Sequence, residues 1–210
     1  MKKVAVSIHA SNVFTLKLIK DLEGLDYIHI DVMDGKFVPV SNLNLDVFNR
    51  VHSNFKIPII AHLMVENPLE FIDPIINSIY AFLFHFEISK DKEQIIEKVK
   101  NYAKLVGLVI NSNTPVEEIK EYLPKVDIIL VLGVEPGWSG QTFDKNVASK
   151  VNLLAEWRKK NKNYHYQIDV DGGVNLKTAS LLKRADILTS ASAILNSPNP
   201  NALIKKLKSL

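Results

Sequence analysis

The sequence YIHIDVMDG, residues 27–35, combines the alternation of a β-strand with groups that can do chemistry. Successive side chains of a strand point to opposite faces, so residues two apart share a face. His29, Asp31 and Met33 are therefore expected on one face, and the apolar residues between them on the other. An imidazole and a carboxylate directed to the same side of a strand suggest a shared function, which depends on what the rest of the chain brings to that side.

Runs rich in apolar and β-branched residues recur along the whole chain. They cover residues 3–9, 27–34, 57–65, 81–88, 105–111, 127–134, 164–172 and 186–195. Between them lie stretches with apolar residues at spacings of three and four and charges opposite, typical of amphipathic helices; one of these is TPVEEIKEYL, residues 114–123. Strand and helix thus alternate, and eight such units in 210 residues leave about 26 residues each.

This alternation predicts a compact (β/α)₈ TIM barrel that forms a single domain over residues 1–210. The alternative is a doubly wound open sheet. An open sheet usually has fewer strands, and its nucleotide-binding form carries a Gly-rich turn after the first strand, where this chain has SIHASNVF. The barrel is therefore the preferred prediction.

Composition argues against several classes of function. The chain is 47% hydrophobic and 23% charged, which suits a full core. Its net charge is only +3, with no basic run interleaved with aromatics, which argues against nucleic acid as a partner. The absence of cysteine fits the cytoplasm, the first ten residues make a poor secretory signal, and no apolar run reaches the length of a membrane span. We therefore expect a cytoplasmic protein that does not bind membranes.

In a TIM barrel the active site lies at the C-terminal ends of the strands. Polar residues at those predicted ends are Ser7, His29, Asp31, His62, His85, Asn111, Glu135, Asp171 and Ser190. Among them, two imidazoles and two carboxylates come from the second, third and seventh strands: His29, Asp31, His62 and Asp171. Each alone is more typical of a hydrogen-bonded structural residue. Together they offer nitrogen and oxygen ligands suited to a divalent metal such as Zn²⁺ or Fe²⁺.

Five motifs, in order and at similar spacing, resemble the diagnostic motifs of the ribulose-phosphate 3-epimerase family. They are HIDVMDGKFVP, AHLMVENP, VEPGWSGQTF, IDVDGGVN and ASAI, and the likeness runs from Ser7 to about Ile194. The resemblance implies an isomerase of the pentose phosphate pathway that interconverts D-ribulose 5-phosphate and D-xylulose 5-phosphate. It also implies a homo-oligomer.

The resemblance assigns the metal and the proton transfer to the same residues. His29, Asp31, His62 and Asp171 would be the metal ligands, and Asp31 and Asp171 would also be the acid and base. Zn²⁺ or Fe²⁺ is the expected ion, with Mn²⁺ and Co²⁺ as alternatives. A proton beside a ketose carbonyl is too weakly acidic for an unaided carboxylate, so a Lewis acid is needed to stabilise the enediolate. Inversion at C3 needs proton removal on one face and delivery on the other, which two opposed carboxylates can perform.

The resemblance also implies a set of substrate-binding residues. Sugar contacts would come from Ser7, Met33, His62 and Met64, and the phosphate would lie near Gly137, Trp138, Ser139, Gly140, Gly172, Gly173, Ala191 and Ser192. Structural interpretations of these residues stay open. A serine at a strand end can bond nearby backbone, methionines facing into a barrel can simply fill the core, and glycines at turns can serve backbone geometry alone.

Other polar residues have simpler interpretations. Asp169 is expected to be structural, His85 to be a hydrogen-bonded barrel histidine, and His9 and His165 to have no role in the site.

Departures from the family pattern leave the substrate open. Ala191 replaces a usual Gly, Leu132 a usual Met and Val40 a usual Asn, while Ser112 stands in place of a usual Pro. The alternative substrate is a hexulose 6-phosphate such as D-allulose 6-phosphate, although that relative tends to lack the second glycine of DGGV, here Gly173. A lyase of the hexulose-phosphate synthase type lacks support because the Asp of its Asp-x-Lys-x-x-Asp cluster that would close the motif is missing. A non-catalytic barrel scaffold is the remaining alternative.

Overall fold

Eight parallel strands form a closed barrel in the computed structural model of the protein, which describes residues 1–137 and 141–210. The barrel strands are β1 Lys3–His9, β2 Tyr27–Asp34, β4 Ile59–Met64, β5 Ala81–His85, β6 Leu105–Ile110, β7 Ile128–Leu132, β8 Gln167–Asp171 and β9 Ile187–Ser190. A two-residue strand, β3 Ser41–Asn42, pairs antiparallel with the end of β2. The sheet closes because β1 pairs with both β2 and β9. The predicted TIM barrel is confirmed.

The helices surround this barrel. They are α1 Lys17–Lys20, α2 Asp46–Asn54, α3 Leu69–Ile75, α4 Lys92–Asn101, α5 Asn146–Lys160, α6 Leu176–Ala179, α7 Ser192–Leu195 and α8 Pro200–Lys208, with 3₁₀ turns at Ile76–Ser78 and Val116–Ile119. Side chains at several helix starts satisfy free backbone N–H groups: Asp91 caps α4 and Asn175 forms a capping box on α6. Within the described residues, no helix combines the length and apolar character needed to cross a membrane.

Two sequence predictions need correction. The helix expected over residues 114–123 is wrong, because only the 3₁₀ turn Val116–Ile119 forms there. Pro115 has an extended backbone just before this turn, and Pro124 disfavours a helical conformation in the residue that precedes it. The run 186–195 is not one strand, because its last four residues form α7.

Because side chains alternate along the strands, one part of the core lies between the barrel and the helices and the other lies inside the barrel. Side chains on the outer face of the barrel, such as Ile28, Ile30 and Val32 of β2, pack against the helices in one large apolar cluster. The lower part of the barrel interior holds a separate apolar cluster that includes Tyr27, Ile60, Leu83, Val109, Leu130 and Ile187. The upper part holds polar side chains, all buried: Ser7, His29, Asp31, His62, His85, Asp169, Asp171 and Thr189. The barrel interior is therefore apolar below and polar towards the strand ends.

Gly107 on β6 marks the tightest packing in the apolar part. It lies between Leu83 of β5 and Ile128 of β7 in the strand register. A Cβ atom at this position would lie 2.6 Å from Leu83 Cγ and 3.0 Å from the backbone oxygen of Ile128. The absence of a side chain here lets Leu83 fill the centre of the barrel.

We predict that Gly107→Ala lowers the free energy of unfolding by about 1–3 kcal/mol, because the added methyl group overpacks the barrel. Urea unfolding measures the change. In a Leu83→Ala background the same substitution should cost clearly less, because the nearest atoms are gone. Equal costs in both backgrounds would mean that the contact with Leu83 is not the cause.

Candidate metal and active site

A pocket of about 480 Å³ opens at the C-terminal ends of the barrel strands. Most of the predicted site residues line it: Ser7, Asp31, Met33, His62, Met64, Gly137, Asp171, Gly172, Gly173, Ala191 and Ser192. His29 lies beneath the pocket and is fully buried. The predicted residues Trp138, Ser139 and Gly140 lie outside the described residues, so their place in the site stays a prediction.

The two predicted imidazoles and two predicted carboxylates form one cluster. His29 Nε2 lies 3.1 Å from Asp31 Oδ1 and 3.5 Å from Asp171 Oδ2. His62 Nδ1 lies 2.8 Å from the same Asp31 oxygen. One ligand atom from each of the four residues lies within 4.8 Å of those of the others. The structure thus brings together side chains from β2, β4 and β8 that are distant in the sequence.

Strand register explains this convergence. Asp31 is paired directly with His62 across β2 and β4, and with His9 across β1 and β2. His29 lies two residues below Asp31 on the same inward face. Asp171 reaches the cluster from β8, on another side of the barrel. Parallel pairing in a closed barrel therefore brings the four side chains together, with His29 below the other three.

The cluster carries opposed pKa shifts. Burial tends to raise the pKa of Asp31, but the charge and the hydrogen bond of His29 lower it well below its usual value. Burial alone would lower the pKa of His29, yet Asp31 and Asp171 raise it to about 9. Burial and the negative charge of Asp31 raise the pKa of Asp171 to about 6, although His29 opposes this. The pKa values of two neighbouring carboxylates are thus shifted in opposite directions.

These residues fit a divalent cation. Two imidazoles and two carboxylates form a typical nitrogen and oxygen ligand set, and bonds of about 2.0–2.2 Å to one ion require ligand atoms spaced by a few ångströms. His29 Nδ1 is buried with no hydrogen-bond partner among the described residues, so Nε2 is the nitrogen that faces the carboxylates. Buried carboxylates need positive charge nearby, and a cation would supply it. The buried cluster is consistent with a metal site.

Ser7 and His9 lie beside Asp31 Oδ2, the carboxylate oxygen that does not contact His29 or His62. Ser7 Oγ donates a hydrogen bond of 2.8 Å to Asp31 Oδ2, so its partner is a carboxylate and not the backbone. His9 also lines the pocket, with Nε2 4.0 Å from the same oxygen. No role was expected for His9 from the sequence, because nothing local showed that its strand ends beside Asp31.

Met33, Met64 and Gly172 line the pocket and also make packing or backbone contacts of their own. Met33 and Met64 form a small apolar cluster with Val38 at the pocket wall. Gly172 has φ +92°, and a Cβ there would lie 2.7 Å from Val134 Cγ2. Its N–H donates a 2.7 Å hydrogen bond to Asp171 Oδ1, which orients that carboxylate. Backbone geometry at this turn therefore serves the predicted acid–base residue directly.

Sequence reasoning missed several groups around the cluster. Lys145 and Lys177 line the pocket and bring positive charge to it. Glu87 lies behind His62, joined to it through His85. Lysines are frequent on this chain, so no sequence signal singled out these two. His85 was expected to be a hydrogen-bonded barrel histidine, but no sequence signal placed it between Glu87 and His62.

A family model and individual relatives both match the chain to the same family. The sequence pattern of the family described as "Ribulose-phosphate 3 epimerase family" matches residues 3–195. The chain is 34% identical over 188 residues to ribulose-phosphate 3-epimerase of Treponema pallidum, covering 88% of this chain and 86% of the relative. It is 32% identical over 214 residues to ribulose-phosphate 3-epimerase of Bacillus subtilis, covering 99% of each.

Among solved structures, the fold is similar to that of 3-hexulose-6-phosphate synthase from Salmonella typhimurium. The TM-score is 0.67 at 14% identity, covering 99% of this chain and 97% of the other. Identity at this level supports the shared barrel fold alone.

Asp169 provides a test of the electrostatics in the barrel. Its side chain is fully buried and accepts a 2.9 Å hydrogen bond from Thr189 Oγ1. Burial raises its pKa to about 6, although the charge of His29 opposes the shift. The folded protein therefore holds this proton more tightly than the unfolded chain, and the wild type loses stability as the pH rises from about 4 through 6.

We predict that Asp169→Asn gains stability relative to the metal-free wild type, by about 1–3 kcal/mol, between pH 4 and pH 8. Urea unfolding with a chelator present measures the difference at both pH values. The control is Asp73→Asn on the surface. Hydrogen bonds from Lys98 and Tyr102 lower the pKa of Asp73, so its variant should show the opposite sign. A pH-independent difference for Asp169→Asn would contradict the assignment.

Proposed function

The chain belongs to the ribulose-phosphate 3-epimerase family, and from that we propose that residues 1–210 form one catalytic domain that interconverts D-ribulose 5-phosphate and D-xylulose 5-phosphate. The reaction would be part of the pentose phosphate pathway. One observation carries the proposal: the buried cluster of His29, Asp31, His62 and Asp171 lies beside a pocket at the barrel mouth. The absence of cysteine supports a cytoplasmic location. Assembly into a homo-oligomer stays a prediction from the family.

We infer that the cluster holds a divalent metal through His29 Nε2, His62 Nδ1 and one oxygen each of Asp31 and Asp171. Zn²⁺ or Fe²⁺ suits this ligand set best, with Mn²⁺ and Co²⁺ as alternatives. When bound, the metal would supply Lewis-acid stabilisation of the negative charge that develops on the ketose oxygens.

Asp31 and Asp171 would carry out the proton transfer at C3. They belong to β2 and β8, so they can approach a sugar in the pocket from different sides. Without a metal, their pKa values are shifted in opposite directions, so the two carboxylates differ in basicity. Ser7 Oγ and Gly172 N–H each hold one of these carboxylates through a hydrogen bond. The same pair can serve both directions of the reaction when the roles exchange.

The rest of the pocket would bind the sugar phosphate. Backbone at Gly172, Gly173, Ala191, Ser192 and Gly137 lines the side of the pocket expected for the phosphate. Lys145 and Lys177 add positive charge, which favours an anionic substrate. Met33 and Met64 would contact the sugar from the apolar wall.

A hexulose 6-phosphate such as D-allulose 6-phosphate is the second candidate substrate. Two departures from the family pattern, Ala191 and Leu132, line the pocket, and a third, Val40, packs against the Met33 and Met64 cluster. These positions can alter the space available to a longer sugar. A purely structural barrel is disfavoured because all four residues suited to a metal lie together.

We predict that chelator treatment abolishes epimerase activity and that Zn²⁺ or Fe²⁺ restores it, with ribulose 5-phosphate turned over faster than allulose 6-phosphate. A coupled assay on both sugars measures this. His62→Ala should bind zinc at least about 10-fold more weakly, because it loses one ligand. Full activity in metal-free protein would refute the metal assignment, and a preference for the six-carbon sugar would select the second candidate.

Isotope exchange tests the two-carboxylate mechanism. In deuterated water, the wild type should place deuterium at C3 in both directions. Asp171→Asn with verified metal content should lose net epimerisation by about 10²–10⁴-fold, because one of the two proton-transfer groups is removed. It should still exchange the C3 proton of the epimer that faces Asp31.

The mirror variant Asp31→Asn is the matched control and should exchange the other epimer. If both variants exchanged the same epimer, or if either epimerised at a near wild-type rate, a single base would replace the pair.

A further inference from the structure

We propose that Glu87, acting through His85, is a positioning residue that fixes the ring tautomer of His62 and so presents His62 Nδ1 to the metal. The proposal rests on the metal site inferred above, and Glu87 and His85 themselves are not among the proposed ligands. It is drawn from a chain of hydrogen bonds that runs from the cluster into the barrel wall.

Both ring nitrogens of His62 are engaged. Nδ1 lies 2.8 Å from Asp31 Oδ1, and Nε2 lies 3.0 Å from His85 Nε2. The other nitrogen of His85, Nδ1, lies 3.2 Å from Glu87 Oε2. Both imidazoles are buried and their ring centroids are 5.1 Å apart. Carboxylates therefore stand at both ends of a row of two histidines.

Glu87 can act only as a hydrogen-bond acceptor here. Its second oxygen, Oε1, accepts hydrogen bonds from the backbone N–H of Asn111, at 2.8 Å, and from Thr114 Oγ1, at 2.5 Å. Burial would raise its pKa, but the hydrogen bonds from His85, Asn111 and Thr114 lower it. An ionised Glu87 then faces His85 with Oε2 alone.

Counting protons along the row determines the tautomers. Glu87 accepts, so His85 carries its proton on Nδ1 and leaves Nε2 as an acceptor. His62 must then donate from Nε2, which leaves the lone pair of its Nδ1 facing Asp31. Three contacts need a proton: Asp31 with His62, His62 with His85, and His85 with Glu87. Two neutral imidazoles carry only two N–H protons between them. A cation at His62 Nδ1 would take the place of the third proton.

The variant Glu87→Gln should reverse this order. The N–H of Asn111 is an obligatory donor, so the amide oxygen of the new side chain must occupy the Oε1 position. Its NH₂ group then faces His85 Nδ1. His85 would carry its proton on Nε2 and donate to His62, which would in turn carry a proton on Nδ1 and donate to Asp31. All three contacts are then satisfied without a metal.

We therefore expect Glu87→Gln to bind zinc about 10–100-fold more weakly than the wild type while staying folded. Competition with a chromophoric chelator measures the zinc affinity. Thermal unfolding of the metal-free proteins should show the variant to be at least as stable as the wild type. A merely structural role for Glu87 would instead predict a loss of stability.

Nitrogen-15 NMR reads the tautomers directly. His85 should carry its proton on Nδ1 in the zinc-loaded wild type and on Nε2 in metal-free Glu87→Gln. The control is Thr114→Val, which removes one hydrogen bond to Glu87 but keeps the carboxylate against His85. Its zinc affinity should stay within about threefold of the wild type, far less than the effect expected from an altered ligand orientation.

The outcomes separate the two proposals. Zinc binding by the wild type with equal affinity in Glu87→Gln, or an Nε2 proton on His85 in the zinc-loaded wild type, would overturn the tautomer proposal alone. A wild type that bound no zinc would overturn the metal site and this proposal together.

Discussion

The pairing of β2 with β4 inside a closed barrel is the constraint on which the site depends. It sets Asp31 directly beside His62, and the alternation of β2 sets His29 on the same inward face. A shift of one residue in this register would turn every one of these side chains towards the helices. The large apolar cluster between barrel and helices prevents such a shift, because it requires the intervening apolar residues to point outward.

Burial of the cluster creates an electrostatic demand. Asp31, Asp169 and Asp171 all lie in the upper barrel, with His29 between them. Isolated buried charges are costly, so the fold compensates them with hydrogen bonds, with a protonated His29 or with a bound cation. The opposed pKa shifts of Asp31 and Asp171 are the visible result. Buried carboxylates whose negative charge is only partly compensated are well suited to bind a divalent metal.

Residues around the cluster hold it from several directions. Ser7 bonds Asp31, the Gly172 backbone bonds Asp171, and His85 bonds His62. Such contacts orient the side chains that they touch. Below these polar groups lies the apolar cluster of the lower barrel, in which Leu83 packs closely against Gly107.

The sequence by itself determined the barrel and the direction of its key side chains. Alternation is a local property of strand geometry, so the inward face of residues 27–34 and the order of eight strands could be predicted without knowing any contact. Residues 114–123 were mispredicted because helical spacing there does not show how the flanking prolines restrict the backbone. Only the tertiary structure decided which nitrogen of His62 faces Asp31, that His9 and Lys177 border the pocket, and that Glu87 lies behind His85. Those features depend on barrel closure and ring orientation, which bring together groups distant along the chain and leave no local pattern in it.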